Sequence, residues 1–367
     1  MRLSNRQLGA EILERILDRF QCKNSGVKMA FGYGSAVFPQ KGNEPSANKS
    51  KKGSSNMVDI CLVVEDTKKF HNFNLHLNMH HYCSTVRLID LFASRAQSAN
   101  FVNNLQHLPC SVYFNTLVQL DECTVFKYGV ISMENLIRDL STWDSLYYSG
   151  RLHKPVKFAP TSLLSPSEEE ETVRWRGSLQ RNLTSAWNAA LLLQQKEIKD
   201  KSTSVEAMPL RDVFVVLCGL SYNGDFRMIL GEDKQKVVRI VDSSFEQLKS
   251  LYMPIITSDP HVNYSELMHS EGVQVCLSPE AVQYRISQLP KRLQKNLTSS
   301  YSRDDSGKGH SSSISLSDLR SSLDNDLRKT VWRSSVLQST KNIFTAGILK
   351  TLKYSYQKLT KMTKSLL

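Results

Sequence analysis

The chain has 367 residues, 40% of them apolar and 22% charged, with a net charge of +12 and a pI near 9.3. That is enough apolar content for globular cores and enough length for two or three domains, while the positive surface prefers acidic partners: nucleotides, nucleic acid or anionic lipid. No apolar run approaches the roughly 18 residues of a membrane span, and seven cysteines without a C-x-x-C pair argue for free thiols in a reducing compartment and against structural zinc.

The first ten residues carry Arg2 and Arg6 and no acid, faintly like a mitochondrial presequence, but Glu11, Glu14 and Asp18 follow at once. Leu8, Ile12, Ile16, Leu17 and Phe20 share one face of an amphipathic first helix. The stretch from Phe31 to Glu65 then concentrates the chemistry. An apolar run ends in Gly32-Tyr33-Gly34-Ser35, where glycines let backbone N–H groups approach a ligand closely and the hydroxyl adds a donor to a phosphate nest. Taken alone, such a turn is equally an ordinary loop. Residues 41–56 are a polar loop by composition. Met57 to Val64 reads as a buried strand with one charge, Asp59. A carboxylate there is costly unless it is paired or holds a metal. Strand, Gly-Ser turn, loop and strand with an inward acid form the nucleotidyltransferase arrangement, the turn holding a triphosphate and Asp59 holding Mg²⁺ against it. The usual second acid, two residues on, is here Cys61. Glu65 has the right parity but lies about 20 Å along the strand, too far to share the ion.

His71, Asn74, Asn78 and His81 follow at helical spacing. They form either a wet helix surface or a polar wall facing the nucleotide. Ser111 to Leu120 and Thr124 to Ser132 read as strands. Lys127, between Phe126 and Tyr128, marks an edge facing water or points into the cleft toward a phosphate. Residues 133–150 read as one helix ended by Gly150, and 158–172, with its run of glutamates, as a linker. From 173 to 250 the periodicity is mainly helical. Asp225, Arg227, Glu232, Asp233 and Lys234 gather around a glycine turn as a functional cluster or a structural set of salt bridges. Residues 298–322 are serine-rich and read as disordered. From Lys341 onward there is no acid. Ile348, Leu349, Leu352, Tyr356, Leu359, Met362 and Leu366 fall opposite Lys350, Lys353, Lys358, Lys361 and Lys364, which suits an anionic membrane surface. The alternative is a helix docked on the protein's own core.

Seven runs in order carry a resemblance: YGSAVF at 33–38, MVD at 57–59, H-x-x-N-x-x-x-N-x-x-H-Y from His71 to Tyr82, KYGVIS at 127–132, DLSTWDSLYYSGRLHKPVK at 139–157, GLSYNGDFRMILGEDKQKV at 219–237 and QSTKNIFTAG at 338–347. Over residues 8 to 347 the chain resembles the mitochondrial phosphatidate cytidylyltransferases, also called translocator assembly and maintenance proteins. It departs from them at Phe70 for tryptophan, Cys83 for serine and Ala36 for glycine, and none of these removes a candidate catalytic group. The resemblance implies an enzyme making CDP-diacylglycerol and pyrophosphate from CTP and phosphatidic acid, for cardiolipin synthesis, on the matrix side of the mitochondrial inner membrane. It implies an α/β fold: a nucleotidyltransferase-type mixed sheet over 1–157, a mainly helical, winged-helix-like domain over 173–297, a serine-rich linker over 298–335, and a basic amphipathic tail over 336–367 as the peripheral membrane contact. Family members generally have an apolar residue at the Cys61 position.

On this reading Asp59 holds Mg²⁺, Lys127 stabilises charge on the triphosphate, and Gly34, Ser35, Tyr33, Asn78 and His81 bind the nucleotide. Lys154, Arg227 and Lys234 are candidates for the lipid or nucleotide phosphates. A non-catalytic assembly factor for inner-membrane import complexes is the alternative, although a scaffold has no need of a strand acid beside a Gly-Ser turn. A nucleic-acid partner is not expected, because the lysines concentrate on the terminal helix rather than in an aromatic groove.

Overall fold

The computed structural model describes residues 5–34, 36–38, 57–122, 124–195, 205–230, 235–267, 270–302 and 316–346. The N-terminal half runs α1 (Asn5–Asp18), β1 (Val27–Tyr33), β2 (Val58–Val64), α2 (Thr67–Asn78), α3 (Ser84–Phe92), α4 (Arg95–His107), β3 (Tyr113–Gln119), β4 (Val125–Ser132), α5 (Met133–Thr142), α6 (Ser149–Leu152) and β5 (Lys157–Phe158). Its five strands form one mixed sheet in the order β3-β4-β2-β1-β5. β2 runs antiparallel to β1 and parallel to β4. With a neighbour on each side and both faces covered, it reads as a nearly unbroken apolar run.

Side-chain alternation divides the sheet into two faces. Val58, Ile60, Leu62, Phe126 and Tyr128 pack with Leu13, Ile16, Leu17 and Phe20 of the α1 region. Cys61, Val63, Phe31, Tyr33 and Ile131 face the other way, against Leu136, Leu140 and Tyr148. The register puts Asp59 opposite Tyr33 on one side and Lys127 on the other, so these three share the second face. Lys127 lies on an interior strand, between β2 and β3, rather than on an edge.

The polar run on α2 is neither wet nor turned toward Asp59. His71, Asn74, Asn78 and His81 are buried on the first face. The Gln106 amide donates to the Val130 carbonyl at 3.0 Å, so its Oε1, 2.7 Å from His71 Nε2, must accept a proton from the ring. His71 Nδ1 then accepts from the Tyr82 hydroxyl at 2.9 Å. Asn74 and Asn115 both donate to the Tyr128 hydroxyl, at 2.9 and 2.8 Å, which leaves its proton for His81 Nδ1 at 3.0 Å. Asn78 donates to the Arg19 carbonyl and to Asn74 Oδ1. Each donor of this network is matched to an acceptor, as burial demands.

Burial lowers the pKa of His71 to about 4, with the Gln106 hydrogen bond opposing. Burial, with Lys154 adding to it, lowers that of His153 to about 3. An unfolded histidine titrates near 6.5. Both rings therefore stabilise the fold fully above about pH 6.5 and lose that contribution as the pH falls toward their folded values, at up to about 1.4 kcal/mol per pH unit each. Urea midpoints measured from pH 7 to 5 should drop accordingly, and His71→Gln should flatten the slope. A midpoint constant over that range would refute this account.

The second half comprises α7 (Glu169–Gln194), β6 (Val205–Pro209), α8 (Leu210–Gly219), α9 (Arg227–Leu230), α10 (Lys236–Ser258), β7 (Val262–Leu267), β8 (Ser270–Cys276), α11 (Pro279–Ser287), α12 (Lys291–Ser302) and α13 (Leu316–Ala346). Its core joins Leu183, Trp187 and Leu191 of α7 with α8, α10 and the three-stranded antiparallel sheet β6-β8-β7.

Three expected boundaries shift. Residues 133–150 are two helices with a loop between them. The glutamates expected in a linker form the first turn of α7, where they meet the positive end of the helix dipole. The linker expected over 298–335 is helical up to Ser302 and again from Leu316. There Leu319, Leu323, Leu327 and Val331 repeat every fourth residue into the core, a periodicity that outweighs the serine content. α13 then reaches back to the N-terminal half, where Lys341 Nζ donates to the Pro109 carbonyl at 3.0 Å. The basic segment 348–367 lies outside the described residues.

Candidate active site

β1 ends in Tyr33 and Gly34 takes φ +83, a left-handed conformation that favours glycine. The Gly34 carbonyl accepts from the Val37 and Phe38 amides at 3.1 and 2.9 Å, which closes the turn. A Cβ at Gly34 would stand 3.4 Å from Asp59 Oδ2. The bare glycine thus leaves the carboxylate open to whatever lies in the turn. Asp59 is only partly buried, and no described residue hydrogen-bonds or ion-pairs with its carboxylate. Beside it, Lys127 Nζ sits 4.2 Å from the centre of the Phe114 ring.

Asp139 builds the adjoining wall. Its Oδ1 accepts from Ser145 N and Oγ at 3.2 and 2.6 Å; its Oδ2 accepts from Tyr148 N, Ser149 N and Ser149 Oγ at 3.0, 2.8 and 3.0 Å. Trp143 and Leu146 adopt positive φ within this loop. The folded loop packs Tyr148 against Gly129, where a Cβ would come 2.4 Å from the Tyr148 hydroxyl, and starts α6 in the right place to project Arg151. The Arg151 guanidinium lies 4.2 Å from the centre of the Tyr33 ring.

Burial pushes the Tyr33 hydroxyl well above its usual range, and the Asp59 charge adds to this; burial does the same for Tyr147. Both phenols stay protonated. For Arg151, burial works against the charge, but its neighbours outweigh it, Tyr33 first and Asp59 among them, and hold the pKa above the usual arginine value.

Beyond Arg151 opens a narrow cleft between the two halves. Lys154, Ser221, Tyr222, Asp225 and Arg227 line it, with Ser334 and Ser335 from α13. Gly150 makes the junction close: a Cβ there would meet that of Ser221 at 2.3 Å. Lys154 Nζ donates to the Gly150 carbonyl and to Ser221 Oγ, and lies 5.0 Å from the Tyr222 ring centre. Burial lowers its pKa. Arg227 grips Asp225 with Nε to Oδ1 at 2.9 Å and Nη2 to Oδ2 at 2.6 Å, the forked geometry of a strong ion pair.

The expected residues therefore divide. Asp59, Lys127, Tyr33 and Gly34 come together, and Lys154 and Arg227 share the neighbouring cleft. The Tyr33 ring is buried beneath Arg151 and so not open to a base. Asn78 and His81, expected to bind nucleotide, are committed to the network on the opposite face of the sheet. Ser35 and Lys234 lie outside the described residues. The sequence reading passed over Arg151, Tyr147, Tyr222 and Asp139. The signal for Arg151 was its i, i+3 spacing from Lys154, which places both on one side of a helical turn.

Among the described residues, no three His, Cys, Asp or Glu side chains gather as a metal cage. Cys61 shares the face of Asp59 but is fully buried under the helices there, with its thiol pushed far above its usual range by burial, so it is no substitute for the second acid. Mg²⁺ is commonly held by one or two carboxylates with waters and substrate phosphates. A single accessible carboxylate beside a glycine turn fits that ion, and does not fit a closed zinc site.

A family model described as phosphatidate cytidylyltransferase, mitochondrial, matches residues 13–361. The chain belongs to the mitochondrial phosphatidate cytidylyltransferase family. It is 36% identical over 360 residues to the phosphatidate cytidylyltransferase of Rattus norvegicus, covering 96% of this chain and 94% of that one. Identity to the Drosophila melanogaster protein of the same name is 36% over 364 residues, covering 96% and 98%, and to that of Danio rerio 35% over 370 residues, covering 99% and 97%. The matched range spans both halves of the fold.

Proposed function

We propose that this protein is a CTP:phosphatidate cytidylyltransferase, forming CDP-diacylglycerol and pyrophosphate. The observation that carries the reading is Asp59, open beside the Gly34 turn and next to a basic cleft, in a chain that matches the family over nearly its whole length. A phosphatidate oxygen attacks the α-phosphorus of CTP. The bond from that phosphorus to the bridging oxygen breaks, and pyrophosphate leaves with the electron pair. A phosphate monoester has a second pKa near 6, so the attacking group is already anionic and needs no strong base. Catalysis then consists of alignment and charge neutralisation. Asp59 would hold Mg²⁺, which when bound supplies Lewis-acid neutralisation of phosphate oxygens. Gly34 leaves room for the triphosphate, Lys127 offsets its charge, and Lys154 and Arg227 make the cleft attractive to a second phosphate.

The test is direct. Purified protein with labelled CTP, Mg²⁺ and phosphatidate vesicles should yield a lipid-soluble cytidine product, and labelled ATP should give far less. Absence of that product from folded protein refutes the assignment.

The relatives are named mitochondrial, and no helix among the described residues is long and apolar enough to cross a membrane. We place the protein peripherally on the matrix side of the inner membrane, feeding cardiolipin synthesis, with residues 348–367 as the tether. Each lysine near an anionic surface contributes roughly 1 kcal/mol, so the five there act together. Removing 348–367 should reduce sedimentation with anionic vesicles and activity on vesicle phosphatidate, while CTP binding persists; undiminished sedimentation would exclude the tether.

A further inference from the structure

The cations lining the cleft differ in what already occupies their donors. Arg227 directs Nε and Nη2 to Asp225. Lys154 directs Nζ to Gly150 and Ser221. The Arg151 guanidinium makes no hydrogen bond and no ion pair with any described residue. A guanidinium carries five N–H donors in one plane. Here one face of that plane is covered by Tyr33, which leaves the in-plane donors as the group's remaining chemistry. The group is only partly covered and lines a basic cleft, so its donors are open to a ligand there.

Position narrows the acceptor. Tyr33 is the direct sheet partner of Asp59, so the group that stacks on Tyr33 stands between the Asp59 turn and the cleft. Arg151 feels the Asp59 charge without ion-pairing to it. An acceptor that fits between the two must be anionic to suit the guanidinium, and must also tolerate Asp59 through a shared cation. A phosphate meets both conditions, and its paired oxygens match the guanidinium fork.

We propose that Arg151 binds a substrate phosphate directly, through two of its oxygens, at the boundary between the Asp59 turn and the cleft. The proposal rests on the cytidylyltransferase reading of the site. The phosphate belongs either to the nucleotide or to the lipid, and the two are separable by experiment.

The experiment uses the full chain as wild type, Arg151→Gln and Arg151→Lys. CTP affinity is measured by calorimetry with Mg²⁺ and no lipid. Initial rates are measured against the phosphatidate mole fraction at saturating CTP. Loss of a charged hydrogen-bonding partner should weaken one arm by roughly 30-fold or more. A loss of CTP affinity assigns Arg151 to the triphosphate. A raised apparent KM for phosphatidate with CTP affinity intact assigns it to the lipid. Lysine should not restore either, because a point charge cannot grip two oxygens. If both variants keep wild-type CTP affinity, KM and kcat and lose only thermal stability, Arg151 is a strut on Tyr33 and the proposal falls. Full rescue by Arg151→Lys overturns it as well. Should the wild type itself make no CDP-diacylglycerol, the activity assignment fails, and binding of inorganic pyrophosphate to wild type and variants still tests Arg151.

Discussion

Asp59→Asn should lower turnover by about three orders of magnitude or more and leave the protein folded. The substitution keeps the shape of the side chain and removes its charge. The Asp59 carboxylate holds no described residue in place by a hydrogen bond or ion pair, so little of the fold depends on its charge. Its charge is opposed by the buried Tyr33 hydroxyl and favoured by Arg151, so the variant should melt close to the wild-type temperature. Turnover is a different matter. Catalytic metal ions supply several kcal/mol of transition-state stabilisation, and about 4 kcal/mol is a thousandfold in rate. Parallel measurement of cytidine incorporation into lipid and of thermal unfolding decides it. Near-wild-type turnover in folded Asp59→Asn protein would remove Asp59 from the mechanism.

Asp139→Ala should produce the largest loss of stability, about 3–5 kcal/mol, with activity lost alongside. Its two oxygens together accept five hydrogen bonds from three residues, and the side chain is buried. Alanine leaves several of those donors buried without acceptors, which is the expensive direction for a hydrogen-bonded network. Asp139→Asn should be nearly as damaging. Both carboxylate oxygens accept from backbone N–H groups, and an asparagine amide would turn one of them into a donor facing donors. The loop from Trp143 to Ser149 would then lose its anchor, and with it the placement of Tyr147, Tyr148 and Arg151 at the site. Urea unfolding of the two variants against wild type measures the effect. A midpoint unchanged in Asp139→Asn would show that solvent, not the carboxylate, satisfies the loop.

Much of the site was legible in the sequence. Asp59 announces itself as the one charge in an apolar strand, and Gly34 as the end of the preceding run. The seven motif runs identified the family before any geometry was known. The sheet-forming stretches 57–64, 111–120 and 124–132 lie within a residue or two of β2, β3 and β4, because alternation and apolar runs are local properties.

Some assignments needed contacts. The spacing of His71, Asn74, Asn78 and His81 showed that they share a helix face. It could not show which side of the sheet that face meets. The answer is one step of strand parity: Lys127 points with Asp59, whereas Tyr128, the next residue, points the opposite way and collects Asn74, Asn115 and His81. Periodicity along one segment carries no information about that choice, since register between strands is set by the packing of both faces at once. Arg151 and Asp139 were hidden for a related reason. Asp139 receives its hydrogen bonds from residues six to ten positions later, after a loop with positive φ at Trp143 and Leu146. Arg151 takes its meaning from Tyr33, more than a hundred residues earlier. Local sequence determined the strand acid, the glycine turn and the family; the choice of face, the anchor of the loop and the cation beside the acid were decided only when distant segments packed together.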